Sequence, residues 1–104
     1  NTINKFDLNG LDDLICELKE ANLPVYFTVD LDVLDPSVFP GTGTPEPGGI
    51  SYKELQDAVI KVCGGLNIIA ADVVELCPHY DQSGASTAIA CKILRELLLA
   101  LSGR

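Results

Sequence analysis

Leu11, Leu14, Ile15 and Leu18 recur three and four residues apart, which predicts an amphipathic helix beginning near Asp7. Asp7 or Asn9 can cap its start, and Asn22 with Pro24 ends it. Residues 1–6 show no periodicity. The spacing then gives way to an unbroken run, VYFTVDL from Val25 to Leu31. Such a β-branched and aromatic run, without alternation, predicts a strand covered on both faces, as in a parallel sheet. A second run, NIIAADVVEL from Asn67 to Leu76, repeats the pattern and is interrupted only by Asp72 and Glu75.

Between the two runs lies DPSVFPGTGTPEPGG, whose prolines and glycines exclude helix and central strand. A well-marked helix follows. Ser51 stands at the N-cap with Glu54 three residues on, a capping box, and Ile50 and Leu55 can close a hydrophobic staple around it. Leu55, Ala58, Val59 and Val62 make its apolar stripe, and Gly64 and Gly65 stop it. After the loop CPHYDQSG, a third helix is predicted from about Ser86 to Leu101, with Ala90, Leu94, Leu97, Leu98 and Leu101 along one side. The order is helix, strand, long loop, helix, strand, loop, helix, with a right-handed βαβ unit at its centre. Two strands are too few for a doubly covered parallel sheet, so the expectation is one piece of a larger α/β domain.

Composition narrows the partners. A formal net charge of −8, with the basic residues scattered, repels a phosphate backbone, so nucleic acid is not an expected partner. No cationic amphipathic segment or run of transmembrane length points to a membrane, and no signal peptide starts the chain. Cys16, Cys63, Cys77 and Cys91 form no C-x-x-C pair and read as buried free thiols of a cytoplasmic protein, with disulfides or a zinc site the alternatives.

The candidate chemistry is carboxylate chemistry. Asp30 and Asp32 stand at i and i+2, on one side of a regular strand, at the carboxyl end where open α/β sheets bind ligands. Two adjacent carboxylates repel, and a divalent cation would relieve them. Oxygen ligands suit ions such as Mn²⁺ or Mg²⁺. A solvated strand end with capping aspartates is the other reading. Asp35, before Pro36, reads as a turn-former bonding its own backbone, with ligation the alternative. Glu75 shares the same edge if the two strands are neighbours. It would there receive a cationic substrate head, serve as an acid or base, or simply be a surface glutamate. Asp72 is expected to face away, toward a helix. His79 is the only histidine, either lining the site or merely occupying a loop. The glycine-rich loop lacks the G-K-[ST] ending of a phosphate-binding loop. Nothing suggests a nucleophilic triad.

The stretch TVDLDVLDPSVFPGTGTPEPGG, from Thr28 to Gly49, resembles the ureohydrolase family, which includes arginases and agmatinases. ADVVELCPHYD, from Ala71 to Asp81, is a second match, and the helix carrying STAIACKILRELLLAL follows as it does in that family. The resemblance covers nearly everything from Val25 onward. It implies an arginase-like fold: residues 1–104 would be the C-terminal portion of a single three-layer α/β/α domain with a mostly parallel sheet. It also implies a two-manganese centre with Asp30 and Asp32 among its ligands, and Glu75 binding the guanidinium of a small cationic substrate. The reaction implied is hydrolysis of a guanidino C–N bond.

ELCPHYD resembles the agmatinase branch, which implies agmatine cleaved to putrescine and urea. Arginine, guanidinobutyrate and formiminoglutamate are substrates elsewhere in the family. The family's four other metal ligands lie upstream, in G-G-D-H-like and D-A-H-x-D-like segments that this sequence lacks. The isolated chain is therefore expected to be inactive, a non-catalytic α/β module, and the active parent a homo-oligomer, trimeric or hexameric.

Overall fold

The computed structural model of the chain describes residues 8 and 10–103. Helix α1 spans Leu11–Ala21, strand β1 Pro24–Asp30, helix α2 Tyr52–Gly65, strand β2 Asn67–Val74 and helix α3 Ala85–Ser102. Each element appears where the hydrophobic pattern predicts it, with ends shifted by a residue or two except at the start of α1, which is Leu11 rather than a residue near Asp7.

Local chemistry explains the boundaries. Asn22 ends α1 in the left-handed conformation, φ 51°, which Asn tolerates better than most residues, and Pro24 begins the strand. The start of α1 differs from expectation. Gly10 is its N-cap without a side-chain bond, and Asp7 and Asn9 lie outside the described residues. At α2 the capping box is complete: Glu54 N–H donates to Ser51 Oγ at 3.1 Å, and Ser51 N–H to Glu54 Oε1 at 3.0 Å. Ile50 and Leu55 are buried in one cluster, as the staple requires.

The two strands pair in parallel, Pro24 with Asn67 through Asp30 with Val74, with one irregularity between Val25 and Tyr26. Val29, Phe27, Ala71 and Val73 point into a core shared with Leu55 and Val59 of α2 and Ile93 and Leu97 of α3. Leu11 of α1, Val62 and Ile68 extend it, with Val25 packed against them. All three helices thus cover the same face of the sheet. The opposite face, carrying Tyr26, Ile69 and Val74, stays exposed within this chain. The continuous apolar runs imply cover on both faces, and the described residues provide only one. An aliphatic recess of about 540 Å³, lined by Leu11, Leu14, Ile15, Val25, Phe27 and Val62 among others, opens between α1, α2 and β1.

Two details of packing correct the sequence reading. In α3 the buried residues are Ser86, Ala90, Ile93 and Leu97, whereas Leu94 and Leu98 are exposed. The helix is apolar nearly all round, so its composition allows more than one stripe, and the docking of Ser86 selects this one. Of the cysteines, all free, only Cys63 is buried; Cys16 and Cys91 are exposed and Cys77 is intermediate. The exposed thiols lie on the outward sides of their helices, where helical periodicity alone can place a small apolar residue. Among the described residues, no helix is long and apolar enough to cross a membrane.

Candidate functional site

Strand β1 ends at Asp30, and the chain then makes a 3₁₀ turn over Leu31–Val33. Asp30 caps it, its Oδ1 accepting the Asp32 N–H at 3.0 Å. The expected i, i+2 geometry of a straight strand is therefore replaced by a tight turn, which still brings the two carboxylates together. Leu31 and Leu34 explain the tightness: both are fully buried, and the turn is what drives both into the core.

Glu75 follows Val74, which pairs with Asp30, so Glu75 and the aspartates share one end of the sheet. Its backbone is left-handed, φ 77°, a conformation uncommon outside Gly, Asn and Asp, where the chain leaves the strand. Burial raises the Asp30 pKa above the ordinary carboxylate value, and the negative charges of Asp32 and Glu75 add to the rise, while the Asp32 N–H bond opposes it. The three carboxylates thus stand at the same end of the sheet.

The Pro/Gly loop folds back beside them. Thr44 Oγ1 donates to Asp32 Oδ2 at 3.2 Å. Ile50 forms an isolated bridge with Leu34, closing the loop onto the strand end. Asp35 organises the loop as the sequence suggests. Its Oδ2 accepts from the Ser37 hydroxyl and N–H, and its Oδ1 from the N–H groups of Gly48 and Gly49. These donors, the Ser37 hydroxyl first, lower its pKa to about 2. With its oxygens so engaged, Asp35 is a scaffold residue and not a ligand.

His79 sits exposed in a short 3₁₀ turn, Pro78–Tyr80, four residues after Glu75. Among the described residues Asp72 meets no helix. It pairs with Thr28 in the ladder and accepts a hydrogen bond from the Tyr26 hydroxyl on the face that the helices leave uncovered. Sequence reasoning did not find Thr44, Ser86 or the full role of Asp81. Asp81 lies three residues before Gly84, the N-cap of α3, and reaches past it to the Ser86 N–H and hydroxyl, a spacing that matches no N-cap signature.

The donor set fits a hard or borderline divalent cation, because Asp30 and Asp32 offer only oxygen. It is incomplete. Among the described residues no group of three or more His, Cys, Asp and Glu is arranged to hold a metal ion. What the edge provides by itself is two candidate ligands and a third carboxylate placed to pair with a cation.

The profile of the arginase family matches residues 1–100. An agmatinase of Bacillus cereus is 46% identical over 97 residues, 91% of this chain and 33% of that protein. A crystal structure from Clostridium difficile, assigned as an agmatinase, superposes with a TM-score of 0.77 at 51% identity, covering 89% of this chain and 34% of the other. The arginase of Bacillus caldovelox gives 0.76 at 34% identity over 84% of this chain and 29% of its own. The chain thus spans about a third of the length of the curated relatives it matches.

Proposed function

The chain belongs to the arginase family, and from that membership we propose that it contributes part of the active site of a manganese-dependent hydrolase cleaving agmatine to putrescine and urea. The observation that carries the reading is the convergence of Asp30, Asp32 and Glu75 at one sheet end. The similar proteins named agmatinase direct the choice of substrate.

In this reading Asp30 and Asp32 would be ligands of a two-manganese centre, with the remaining ligands supplied by upstream sequence. A metal bound there supplies Lewis-acid activation of water. The Asp30–Asp32 turn fixes the two carboxylates relative to each other, and Thr44 orients that of Asp32. Glu75 receives the planar guanidinium, which a carboxylate matches with two parallel hydrogen bonds. It would thereby orient the guanidinium at the sheet end that Asp30 and Asp32 share. Net, water adds across the C–N bond: its oxygen becomes the carbonyl oxygen of urea, the bond to the alkyl nitrogen breaks, and both water protons end on that nitrogen, which leaves as an alkylammonium. His79, exposed beyond Glu75, lines the outer mouth.

Residues 1–104 are, in this reading, the C-terminal part of one domain. The uncovered sheet face and the recess beside β1 support it, since both expose apolar surface that further strands and helices would cover. The parent is cytoplasmic and assembles as a homotrimer or hexamer, as the family resemblance implies. The isolated chain, with two ligands, is a non-catalytic module that binds fewer than two manganese ions tightly.

The test uses the full-length polypeptide loaded with manganese and offered agmatine, arginine and guanidinobutyrate separately. Urea from agmatine is expected, and urea from none of the three would sink the assignment. Asp30→Ala and Asp32→Ala should lose metal and activity together. Glu75→Gln should retain metal and raise KM; unchanged kinetics would remove Glu75 from the site.

A further inference from the structure

The backbone of Gly41 is held from two sides. Its N–H donates to Ser86 Oγ at 2.9 Å, and its carbonyl accepts the Cys77 N–H at 2.7 Å. The first bond ties the loop to the start of α3; the second ties it to the segment leaving β2. Gly41 lies three residues before Thr44, which holds Asp32, and Cys77 lies two residues after Glu75. No side chain fits at this junction, because a Cβ on Gly41 would stand 2.6 Å from the Ser86 Cβ and 2.8 Å from its Oγ.

Ser86 is itself fixed. It is fully buried, and its hydroxyl donates to Asp81 Oδ2 at 2.6 Å while accepting from Gly41. The same Asp81 oxygen accepts the Ser86 N–H at 2.8 Å, and its partner oxygen accepts from Ser83. Gly84, the N-cap of α3, offers no side chain, so Asp81 from three residues upstream satisfies the free Ser86 N–H. Serving the helix end does not account for a buried hydroxyl turned toward the Gly41 N–H, or for Cys77 bonding the carbonyl of the same residue. A hydroxyl has one proton to give, and the Asp81 charge takes it, so the acceptor side of Ser86 is aimed at Gly41.

We infer that Asp81 and Ser86 are positioning residues that, through the Gly41 junction, set the Asp30–Asp32 pair and Glu75 at their working separation. This rests on the reading of those three carboxylates as a metal and guanidinium site. Ser86 acts on Asp32 by way of Thr44, and on Glu75 by way of Cys77.

The experiment compares Ser86→Ala, Thr44→Ala, their double variant and the milder Asp81→Asn in the full-length polypeptide. Manganese affinity is measured by equilibrium dialysis, KM and kcat by urea release, and stability by thermal unfolding. Ser51→Ala serves as the control, since it loosens the start of α2 with no bond to the junction. Loss of a group that orients a metal ligand typically costs about 10- to 100-fold in metal affinity. Ser86→Ala and Asp81→Asn should show such a loss together with a raised KM, and the control neither. The double variant should bind manganese within about threefold of the weaker single variant, because the two residues act in series. Affinity losses that multiply in the double variant would overturn the inference. So would a Ser86→Ala protein that is less stable yet binds manganese as the wild type does. If the wild type itself binds no manganese, the functional reading fails and the inference with it. If the wild type binds manganese and releases urea while Ser86→Ala is unaltered in affinity and KM, only the inference fails.

Discussion

Replacing Gly49 by Ala would place a methyl group 2.5 Å from the Asp35 nitrogen, 2.6 Å from the Val33 carbonyl oxygen and 2.7 Å from the Leu34 carbonyl carbon. All three are backbone atoms, so no rotamer change relieves the clash, and the strand end and loop end must move apart. They are joined there by two bonds of the Leu34–Ile50 bridge, Asp35 N–H to the Ile50 carbonyl and Ile50 N–H to the Val33 carbonyl, each 3.0 Å. Asp35 Oδ1 also accepts from Gly48 and Gly49 at 2.9 and 3.2 Å. A neutral backbone bond contributes about 1 kcal/mol net. Losing both bridge bonds amounts to about 2 kcal/mol, a large share of the roughly 5–15 kcal/mol that holds a typical native protein. The assay is urea denaturation of the full-length protein, with Gly43→Ala as the control. A Cβ at Gly43 meets nothing within 4 Å, so that control should stay within about 0.5 kcal/mol of wild type. Should Gly49→Ala lose less than about 1 kcal/mol, the bridge is not what holds the loop.

Ser51→Ala removes one bond of the α2 capping box and strips the other of its reciprocal partner. A loss of about 1 kcal/mol in denaturant unfolding is expected, and a change within about 0.2 would show the box to be dispensable. Acid should weaken the fold through Asp35 and Asp81, whose pKa values are lowered from 3.8 to about 2 by the donors around them. A depressed folded pKa means the stabilisation is present above the unfolded value and is lost as pH falls from about 3.8 toward 2. Asp30, whose pKa is raised, pulls the opposite way. Denaturation followed between pH 5 and pH 2, on the order of one unit per step, should show a shallower acid decline in Asp81→Asn than in wild type; parallel curves would refute the assignment.

The elements were legible because each had a local cause. The Ser51–Glu54 box, the Asn22–Pro24 stop and the unbroken apolar strands are short-range signals, and the fold keeps them all. The pairing of Asp30 with Asp32 was legible too, although a 3₁₀ turn and not a strand delivers it. Tertiary choices were less so. Leucines run nearly all round α3, so periodicity could not rank Ile93 above Leu94. Asp72 was expected to meet a helix, but its partner, Tyr26, is forty-six residues away on the next strand and depends on the ladder register. The Gly41 junction was invisible for the same reason. Its partner Ser86 is forty-five residues distant, and nothing in G-T-G-T marks which glycine has no room for a side chain.

The aspartates show what separates a scaffold from a site when residue type does not. Asp35 and Asp81 are each wrapped by hydroxyl and N–H donors, and those bonds hold their pKa near 2. Asp30 takes one backbone bond and is raised by burial and by the charges of Asp32 and Glu75. The first two gain from ionising where they stand and lock loop 35–49 and the start of α3. The third is ionised at a cost that grows as its neighbours ionise. A chain of net charge −8 does not lower that cost from a distance. A cation at the cluster does, and on the proposed reading manganese is that cation, so its binding and the folding of this sheet end are linked. At a free concentration a thousandfold above Kd, that linkage adds about 4 kcal/mol to the folded state. The scaffold aspartates hold the loop by their own hydrogen bonds, and on the proposed reading the carboxylates at the strand end reach their lowest free energy with the cation bound.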